Sequence, residues 1–474
     1  MKKLFALLPI MILPMLLIAQ VNRTAQDSSV VFNHVTIIDA TGAPSKTDMT
    51  VIVSGNLIAA VGKTGKVRVP KNAQVIDATG KFLIPGLWDM HVHLFNNRAA
   101  VGTNNKDNYF PLFLANGVTG VRDMWTDPDD IKLVREWQRE IDAGKMFGLR
   151  IFVGSSIVDG VPVTNKNSLG VSTPDEARQA VRTLKDSGAG FIKVYENLSR
   201  ESYYAIVDEA KKLKISFAGH VPNSITPTEA SNAGQKSIEH LTGMLIACSS
   251  KEEKFKNLKN EDWIPTLRAE LMETYSEQKC REVSALFVKN GTWHDPTNVV
   301  LRTRLLGEDE SYKKDERLRY VPADEEQDWL KSTENFRPAN RKNREARFLR
   351  NLEILKVMHQ SGVPILAGTD VGMPFIFAGF SLHDELELLV QAGFTPFEAL
   401  KTATVNPAKY LGLEKSLGTI EKGKLADLIL LDANPLLDIS NTRKINSVVA
   451  NGRLLDRKTL DEMLNNVEAA AKKK

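Results

Sequence analysis

The chain has 474 residues, of which 42% are hydrophobic and 25% are charged, with a net charge of +4. These values are typical of an ordinary globular protein, and the length predicts one large domain plus a smaller one. The small net charge does not favour nucleic acid as a partner. Cys248 and Cys280 form no CxxC pair and indicate no disulfide framework, although a single bridge between them stays open.

Residues 1–25 have the pattern of a secretory signal peptide. Lys2 and Lys3 precede an unbroken apolar run from Leu4 to Ala19, which is a charged segment followed by a hydrophobic one. The run is a little short for a membrane span, so an uncleaved anchor is the second interpretation. We therefore expect a secreted or periplasmic protein with no stable membrane association once it is processed.

Two β-rich segments lie at opposite ends of the chain. In residues 28–84 and again in residues 412–460, β-branched runs alternate with glycine-containing turns. Because they flank a long middle region of different character, we predict that they form one small sheet domain. Two separate hairpins are the alternative, and residues 461–474 are expected to be a C-terminal tail.

The middle region, residues 85–411, alternates strands and helices. Its eight strand candidates are the segment before His91 and residues 117–121, 149–153, 190–195, 215–219, 236–240, 291–293 and 363–367. Three helices share one start signal, with Thr at the N-cap, Pro at the first helical position and Glu at N3; they begin after Thr173, Thr226 and Thr395. Eight βα units over this length predict an α/β fold of the (β/α)₈ TIM-barrel type. An insertion and a helical excursion interrupt the pattern after His240.

Side chains with metal-binding chemistry fall at the predicted strand ends, where barrel enzymes place their reactive groups. Five of them are His91, His93, His220, His240 and Asp370, and Lys193 is the additional lysine. His91 and His93 point to the same face of their strand, so both can reach one ion. A lone histidine at a strand end is more often structural, but five such groups at one rim make coincidence improbable.

Lys193 differs from the others because it lies inside an apolar strand, where a charged ammonium group is costly. Burial lowers an amine pKa, and a neutral amine can add carbon dioxide to become a carbamate. Such a carbamate would offer two oxygens to a pair of divalent ions. The alternative, equally weighted, is a barrel lysine paired with a carboxylate such as Glu239.

These motifs resemble the amidohydrolase superfamily. The resemblance runs from Val30 to Gly452 and rests on residues 85–93, on the strand-end residues above and on the tail at 399–408 and 418–429. The nearest branch is the imidazolonepropionase-like group, which includes Xaa-Pro dipeptidases. The resemblance implies a (β/α)₈ barrel with a composite β-sandwich built from the N- and C-terminal segments.

The resemblance also implies a binuclear site with two divalent metal ions. Zinc is the expected metal, and a carbamate on Lys193 would bridge the ions. One ion would be bound by His91, His93 and Asp370. The other would be bound by His220 and His240.

A site of this kind predicts a hydrolase that attacks an amide, dipeptide or cyclic amide bond with a metal-activated water. Asp370 would move the proton from the water to the leaving nitrogen, or act only as a ligand. Tyr195 would stabilise the oxyanion and contact the substrate, or simply pack against the barrel. A lactone or phosphotriester hydrolase and a non-catalytic ligand-binding barrel are the alternatives.

Three further residues are candidates for substrate binding. Arg122 either supports the metal ligands through an ion pair or binds a substrate carboxylate. His294 lies at the end of the seventh strand, and His383 opens a helix after the eighth, facing either the pocket or solvent. The expected partner is a small-molecule substrate, and the sequence is compatible with a homo-oligomer.

Overall fold

The computed structural model describes residues 29–95, 105–256, 258, 265–306, 309–334 and 341–473. The signal peptide predicted at residues 1–25 lies outside these ranges. Within them, no helix combines the length and the apolar character that crossing a membrane would require.

The strands are β1 Val30–Ile37, β2 Lys46–Ser54, β3 Leu57–Lys63, β4 Gln74–Asp77, β5 Phe82–Pro85, β6 Leu87–Val92, β7 Val118–Asp123, β8 Arg150–Val153, β9 Ile157–Gly160, β10 Leu169–Val171, β11 Phe191–Val194, β12 Ser216–Gly219, β13 Ser237–Glu239, β14 Trp293–Asp295, β15 Leu428–Leu431, β16 Ile445–Ala450 and β17 Arg453–Leu455. Short 3₁₀ helices occupy Glu316–Tyr320 and Ile439–Arg443.

The α-helices are α1 Asn105–Ala115, α2 Pro128–Asp142, α3 Pro174–Ser187, α4 Arg200–Leu213, α5 Pro227–Asn232, α6 Met244–Ala247, α7 Glu252–Phe255, α8 Pro265–Glu273, α9 Glu277–Asn290, α10 Asn298–Leu306, α11 Glu310–Lys313, α12 Ala323–Glu334, α13 Arg341–Gln360, α14 Phe380–Gln391, α15 Pro396–Thr402, α16 Val405–Leu411 and α17 Arg457–Ala471.

The two ends of the chain form one sheet, as predicted. Its order is β17-β16-β15-β5-β1-β2-β3, and β4 pairs with β1. The join between the two ends is the antiparallel pairing of β15 with β5, in which Ile429 lies opposite Ile84. Buried side chains that include Phe32, Val51 and Leu430 form the core of this region. Apolar burial, which stabilises by about 25 cal/mol per Å², therefore holds the two termini together.

The middle of the chain is a TIM-barrel-like α/β fold. Its strands are parallel and form two sheets, ordered β6-β7-β8 and β10-β9-β11-β12-β13-β14. Amphipathic helices cover them; α3, for example, buries Ala177, Ala180, Val181 and Leu184 on one face. This arrangement brings the carboxyl ends of the parallel strands to one rim.

Two predicted strands differ from the observed ones. The seventh begins at Trp293 because Gly291, at φ +68°, is the left-handed C-cap that ends α9. The eighth, at residues 363–367, makes one isolated bridge, between Ile365 and His294, and is not a continuous strand.

The three predicted helix starts are confirmed by their caps. Thr226 and Thr395 each form a full capping box with the Glu three residues later. The Thr173 side chain accepts from the Glu176 backbone N–H, while the Glu176 carboxylate accepts from the backbone of Ser172. Each pattern satisfies backbone donors that the first helical turn leaves unpaired.

A disulfide joins Cys248 to Cys280, although the sequence alone did not support it. Both cysteines are fully buried, and their Cα atoms are 4.4 Å apart. An antiparallel bridge between Ser249 and Tyr275 lies beside it. Together these contacts close the base of the insertion that follows His240.

Candidate metal centre

The strand that carries His91 and His93 is bonded to the segment that carries Asp370. The Asp370 backbone N–H donates to the His91 carbonyl at 2.7 Å, and the His93 N–H donates to the Val371 carbonyl at 2.8 Å. Gly368 permits this close approach, because a Cβ there would lie 2.6 Å from the Cβ of His91. The backbone thus places one carboxylate against two imidazoles.

These three side chains have the geometry of a metal site. Oδ1 of Asp370 lies 2.9 Å from His93 Nε2 and 3.4 Å from His91 Nε2. One ligand atom from each residue lies within 4.8 Å of the others, which is close enough for a single ion. The predicted grouping of His91, His93 and Asp370 therefore coincides with a cluster in the structure.

His220 and His240 lie next to this cluster. Their ring centroids are 4.9 Å apart, and the ring of His240 is 4.5 Å from that of His91. Four imidazoles and a carboxylate, carried by four separate segments of the chain, thus converge at the rim.

In three of the four imidazoles, the Nδ1 atom is hydrogen-bonded to a side chain that is not itself a proposed metal ligand. The pairs are His91 with Glu239 at 2.9 Å, His220 with Glu196 at 3.0 Å, and His240 with Thr297 at 2.6 Å. Metal-ligating histidines typically donate their second ring N–H in this way, which leaves Nε2 for the ion. His91 Nε2 is buried without a hydrogen-bond partner among the described residues. These rings fit a divalent metal.

Three of the four imidazoles, those of His91, His220 and His240, are held in the neutral form that binds metals. Burial, followed by the positive charge of Lys193, lowers the pKa of His91 and of His220 well below the usual range. Burial lowers the pKa of His240 to about 3. Burial alone would raise the pKa of Asp370, but His240, His91 and His93 keep it well below its usual value, so the carboxylate is ionised.

Lys193 lies inside β11 and is only 1% exposed. Burial lowers the pKa of its amine to about 8. The alternative of an ion pair with Glu239 is not observed, because that carboxylate is bonded to Arg122 and His91 instead. A buried amine with a lowered pKa satisfies the condition that carbamate formation requires.

Three rim residues have strained backbones. His240, Thr297 and Asp370 have φ values of +57°, +45° and +65°, in the left-handed region that side-chain-bearing residues rarely adopt. Strain of this kind persists only where the surrounding structure imposes it, and it clusters at functional sites. It supports a functional role for the rim.

Tyr195 lies beside the second pair of histidines, with its ring centroid 4.0 Å from that of His220. Burial raises the pKa of its hydroxyl to about 12, so the group remains a hydrogen-bond donor at neutral pH. The position fits the predicted contact with a substrate oxygen.

Arg122 is buried beneath the rim and is hydrogen-bonded within the chain. Its guanidinium is fully buried inside the barrel. Its N–H groups donate to the acceptors Met90 O, Ser237 Oγ, Tyr410 Oη, Glu239 Oε2 and Asp295 Oδ2. A guanidinium has five donors, and all are used here, so the supporting role proposed for Arg122 replaces the substrate-binding one.

His294 and His383 are also displaced from the predicted substrate site. His294 is fully buried, and its ring packs against Phe287 of α9, on the outer side of β14. His383 lies in α14, where Nδ1 contacts Thr442 and Nε2 contacts the Asn116 carbonyl. These contacts are with neighbouring helices and loops and not with the metal cluster, because a position near a strand end does not fix the direction of the side chain. Substrate binding by either residue stays a prediction.

Sequence reasoning missed three supporting residues. Glu196 and Thr297 were not singled out, and Glu239 was considered only as a partner of Lys193. A usable signal was present, because each lies at the end of a strand or within two residues of it. The sequence does not indicate which histidine nitrogen each of these residues would hydrogen-bond.

Comparison with known proteins agrees with this geometry. The model of the amidohydrolase family matches residues 82–455. An imidazolonepropionase from Thermoplasma volcanium is 33% identical over 95 residues, which are 20% of this chain and 23% of that enzyme. The ochratoxinase of Aspergillus niger is 23% identical over 462 residues, with 85% of this chain and 81% of that protein covered.

A solved structure shows the same fold. A Xaa-Pro dipeptidase with methionine bound in its active site superposes with a TM-score of 0.64 at 23% identity. The alignment covers 90% of this chain and 100% of the dipeptidase.

Proposed function

This chain belongs to the amidohydrolase family of enzymes, and we propose that it hydrolyses a carbon–nitrogen bond of a small molecule at a binuclear metal site. The observation that carries the proposal is the convergence of four imidazoles with one ionised carboxylate at the strand ends. The named relatives support an amide-type bond, since they include a dipeptidase and an imidazolonepropionase.

The side chains fit two divalent ions. His91, His93 and Asp370 would hold one ion, His220 and His240 the other, and a carbamate on Lys193 would lie between them. Nitrogen and carboxylate ligands favour zinc. When bound, such ions supply an activated water and polarise the bond under attack.

Asp370 has the position and charge to move a proton. It is ionised, it is 6% exposed, and its Oδ1 already contacts a histidine. We infer that it accepts the proton of the attacking water and delivers it to the leaving nitrogen. The protonated hydroxyl of Tyr195 would donate a hydrogen bond to the oxyanion that develops at the carbonyl.

The substrate class proposed is an amide, a dipeptide or a cyclic amide. A panel of N-acyl amino acids, dipeptides, cyclic amides, lactones and phosphotriesters tests it through kcat/KM. We expect the highest values for the carbon–nitrogen compounds. A lactone or phosphotriester turned over at least tenfold faster than every amide would overturn the assignment.

Removal of Lys193 tests the metal site directly. We expect wild-type protein to contain two equivalents of divalent ion, and Lys193→Ala to contain at most one and to lose activity. Lys236→Ala is the matched control, because Lys236 lies at the other end of the barrel strands, over the ring of Tyr410 at 4.4 Å. A Lys193→Ala protein that keeps two ions and full activity would exclude the carbamate.

The proposal includes a closed eight-stranded barrel with a composite β-sandwich beside it. Backbone hydrogen bonds support closure: Ser155 donates to Phe191 between the two parallel sheets, Leu366 donates to His294, and Met90 donates to Ala367. Export from the cytoplasm is also proposed. Its support is the disulfide, since such bonds persist in oxidising compartments.

A further inference from the structure

We propose that Glu239, fixed by the buried Arg122, is a positioning residue that sets the tautomer and orientation of His91 for metal binding. The inference rests on the metal site proposed above and assigns a role to residues that do not themselves contact the ions. It explains why two opposite charges occupy the barrel interior beneath the rim, where bulky apolar side chains usually pack.

Both oxygens of the Glu239 carboxylate are used. Oε2 accepts from Arg122 at 2.8 Å and from His91 Nδ1 at 2.9 Å. Oε1 accepts from the hydroxyl of Ser237 at 2.5 Å. The carboxylate therefore has a fixed direction, and its free rotation is blocked from both sides.

An ionised carboxylate can only accept hydrogen bonds, so the contact requires a proton on Nδ1 of His91. The neutral ring then carries its lone pair on Nε2, the nitrogen that faces Asp370 at 3.4 Å. Glu239 thus selects the tautomer in which His91 can bind a metal, and it also fixes the plane of the ring.

Arg122 forms an ion pair with Glu239 at 2.8 Å, and both side chains have zero exposure. An unpaired carboxylate at this depth would be strongly destabilised, whereas a hydrogen-bonded ion pair compensates much of the desolvation. The guanidinium is itself held over the ring of Tyr410, 4.9 Å from its centroid. The pair is therefore fixed by contacts within the chain.

The other two outer partners differ from Glu239. Thr297 is neutral, and the side chain of Glu196 is 33% exposed. Glu239 is thus the charged partner that solvent cannot screen, so its removal should affect the ion bound by His91 more than the ion bound by His220 and His240.

Metal affinity of the purified holoenzyme tests the inference. Zinc content and the chelator concentration that removes each ion would be measured for wild type and Glu239→Gln, together with the visible spectrum of the cobalt-substituted proteins. We expect one of the two ions to be bound about 10- to 100-fold more weakly in Glu239→Gln, as for other second-layer ligands, with a changed cobalt spectrum. Unchanged affinity and spectrum would overturn the proposal.

Two further variants separate positioning from loss of stability. Glu209→Gln removes a comparably buried carboxylate that pairs with Arg182 on the outer helices, and it should leave both ions in place. If Glu239→Gln fails to fold because Arg122 loses its shorter ion pair, the double variant Arg122→Met/Glu239→Gln removes both charges. Weak binding of one ion in the double variant supports the role, and normal binding contradicts it. A wild-type protein without any ion would instead refute the metal site itself.

Discussion

A buried histidine in the helical shell and one at the rim of the strands differ in how many of their ring nitrogens are hydrogen-bonded within the chain. In the shell, His383 has both ring nitrogens paired within the chain, to Thr442 and to the Asn116 carbonyl. At the rim, His91 has one nitrogen paired and the other buried without a hydrogen-bond partner among the described residues. Since unsatisfied buried groups are costly, the unpaired nitrogen of His91 favours a partner from outside the chain, whereas His383 already has its partners within the chain.

The largest expected effect comes from removing a rim imidazole. His220→Ala should lose one ion and reduce kcat/KM by about 10³-fold or more, because metal ligands contribute several kcal/mol to the transition state. Metal analysis and steady-state kinetics check this. A His220→Ala protein that keeps two ions and full activity would contradict the metal-binding role of the rim.

The disulfide belongs to the shell and should affect stability without affecting metal content. Cys248→Ser/Cys280→Ser opens a loop with a sequence separation of 32 residues, for which chain entropy gives a loss of about 3–4 kcal/mol. Urea unfolding measures the loss. A double-serine protein that unfolds at the same urea concentration as wild type but contains less metal would contradict the assignment of the disulfide to stability alone.

The two histidines outside the rim should differ from each other. His383→Leu removes the hydrogen bond to the buried Asn116 carbonyl and the contact with Thr442, whose hydroxyl still donates to the Ile439 carbonyl. It should cost about 1–3 kcal/mol of unfolding free energy. His294→Leu should be neutral or slightly stabilising, because neither nitrogen of His294 has a hydrogen-bond partner among the described residues. Both variants should retain two ions. Loss of an ion from either variant would show that the replaced histidine contributes to the metal site.

The smallest effect is a pH dependence at the surface. The hydrogen bond from Arg200 lowers the pKa of Glu229 to about 2, from 4.5. A lowered carboxyl pKa contributes stability above the unfolded value, and that contribution is lost as the pH falls from about 4.5 towards 2. Because Arg200 is 47% exposed, solvent screening limits the contribution to about 1 kcal/mol or less. Urea unfolding of Glu229→Gln at pH 7 and pH 3.5 should show the difference from wild type shrinking at the lower pH.

The helix starts and the parallel strands could be predicted because their signals are local. Thr226-Pro-Thr-Glu229 contains the N-cap, the first-turn proline and the N3 glutamate within four residues, and Phe191–Val194 is a mostly apolar run bounded by turn residues. The eighth strand and the substrate-binding residues could not be predicted in the same way. Their pairing and direction depend on neighbours that are distant in sequence.

The sequence by itself determined the kind of chemistry at the rim. Local patterns locate the strand ends, and the residues at those positions are histidine, lysine and aspartate. Only the tertiary structure decided which side chains face the metal centre and which support it. His294 and Glu239 show the reason: a strand alternates its faces with every residue, so a shift of one position moves a side chain from the helical shell into the barrel. The partner of each ring nitrogen is set by packing between strands, and that choice separates a metal ligand from an ordinary buried histidine.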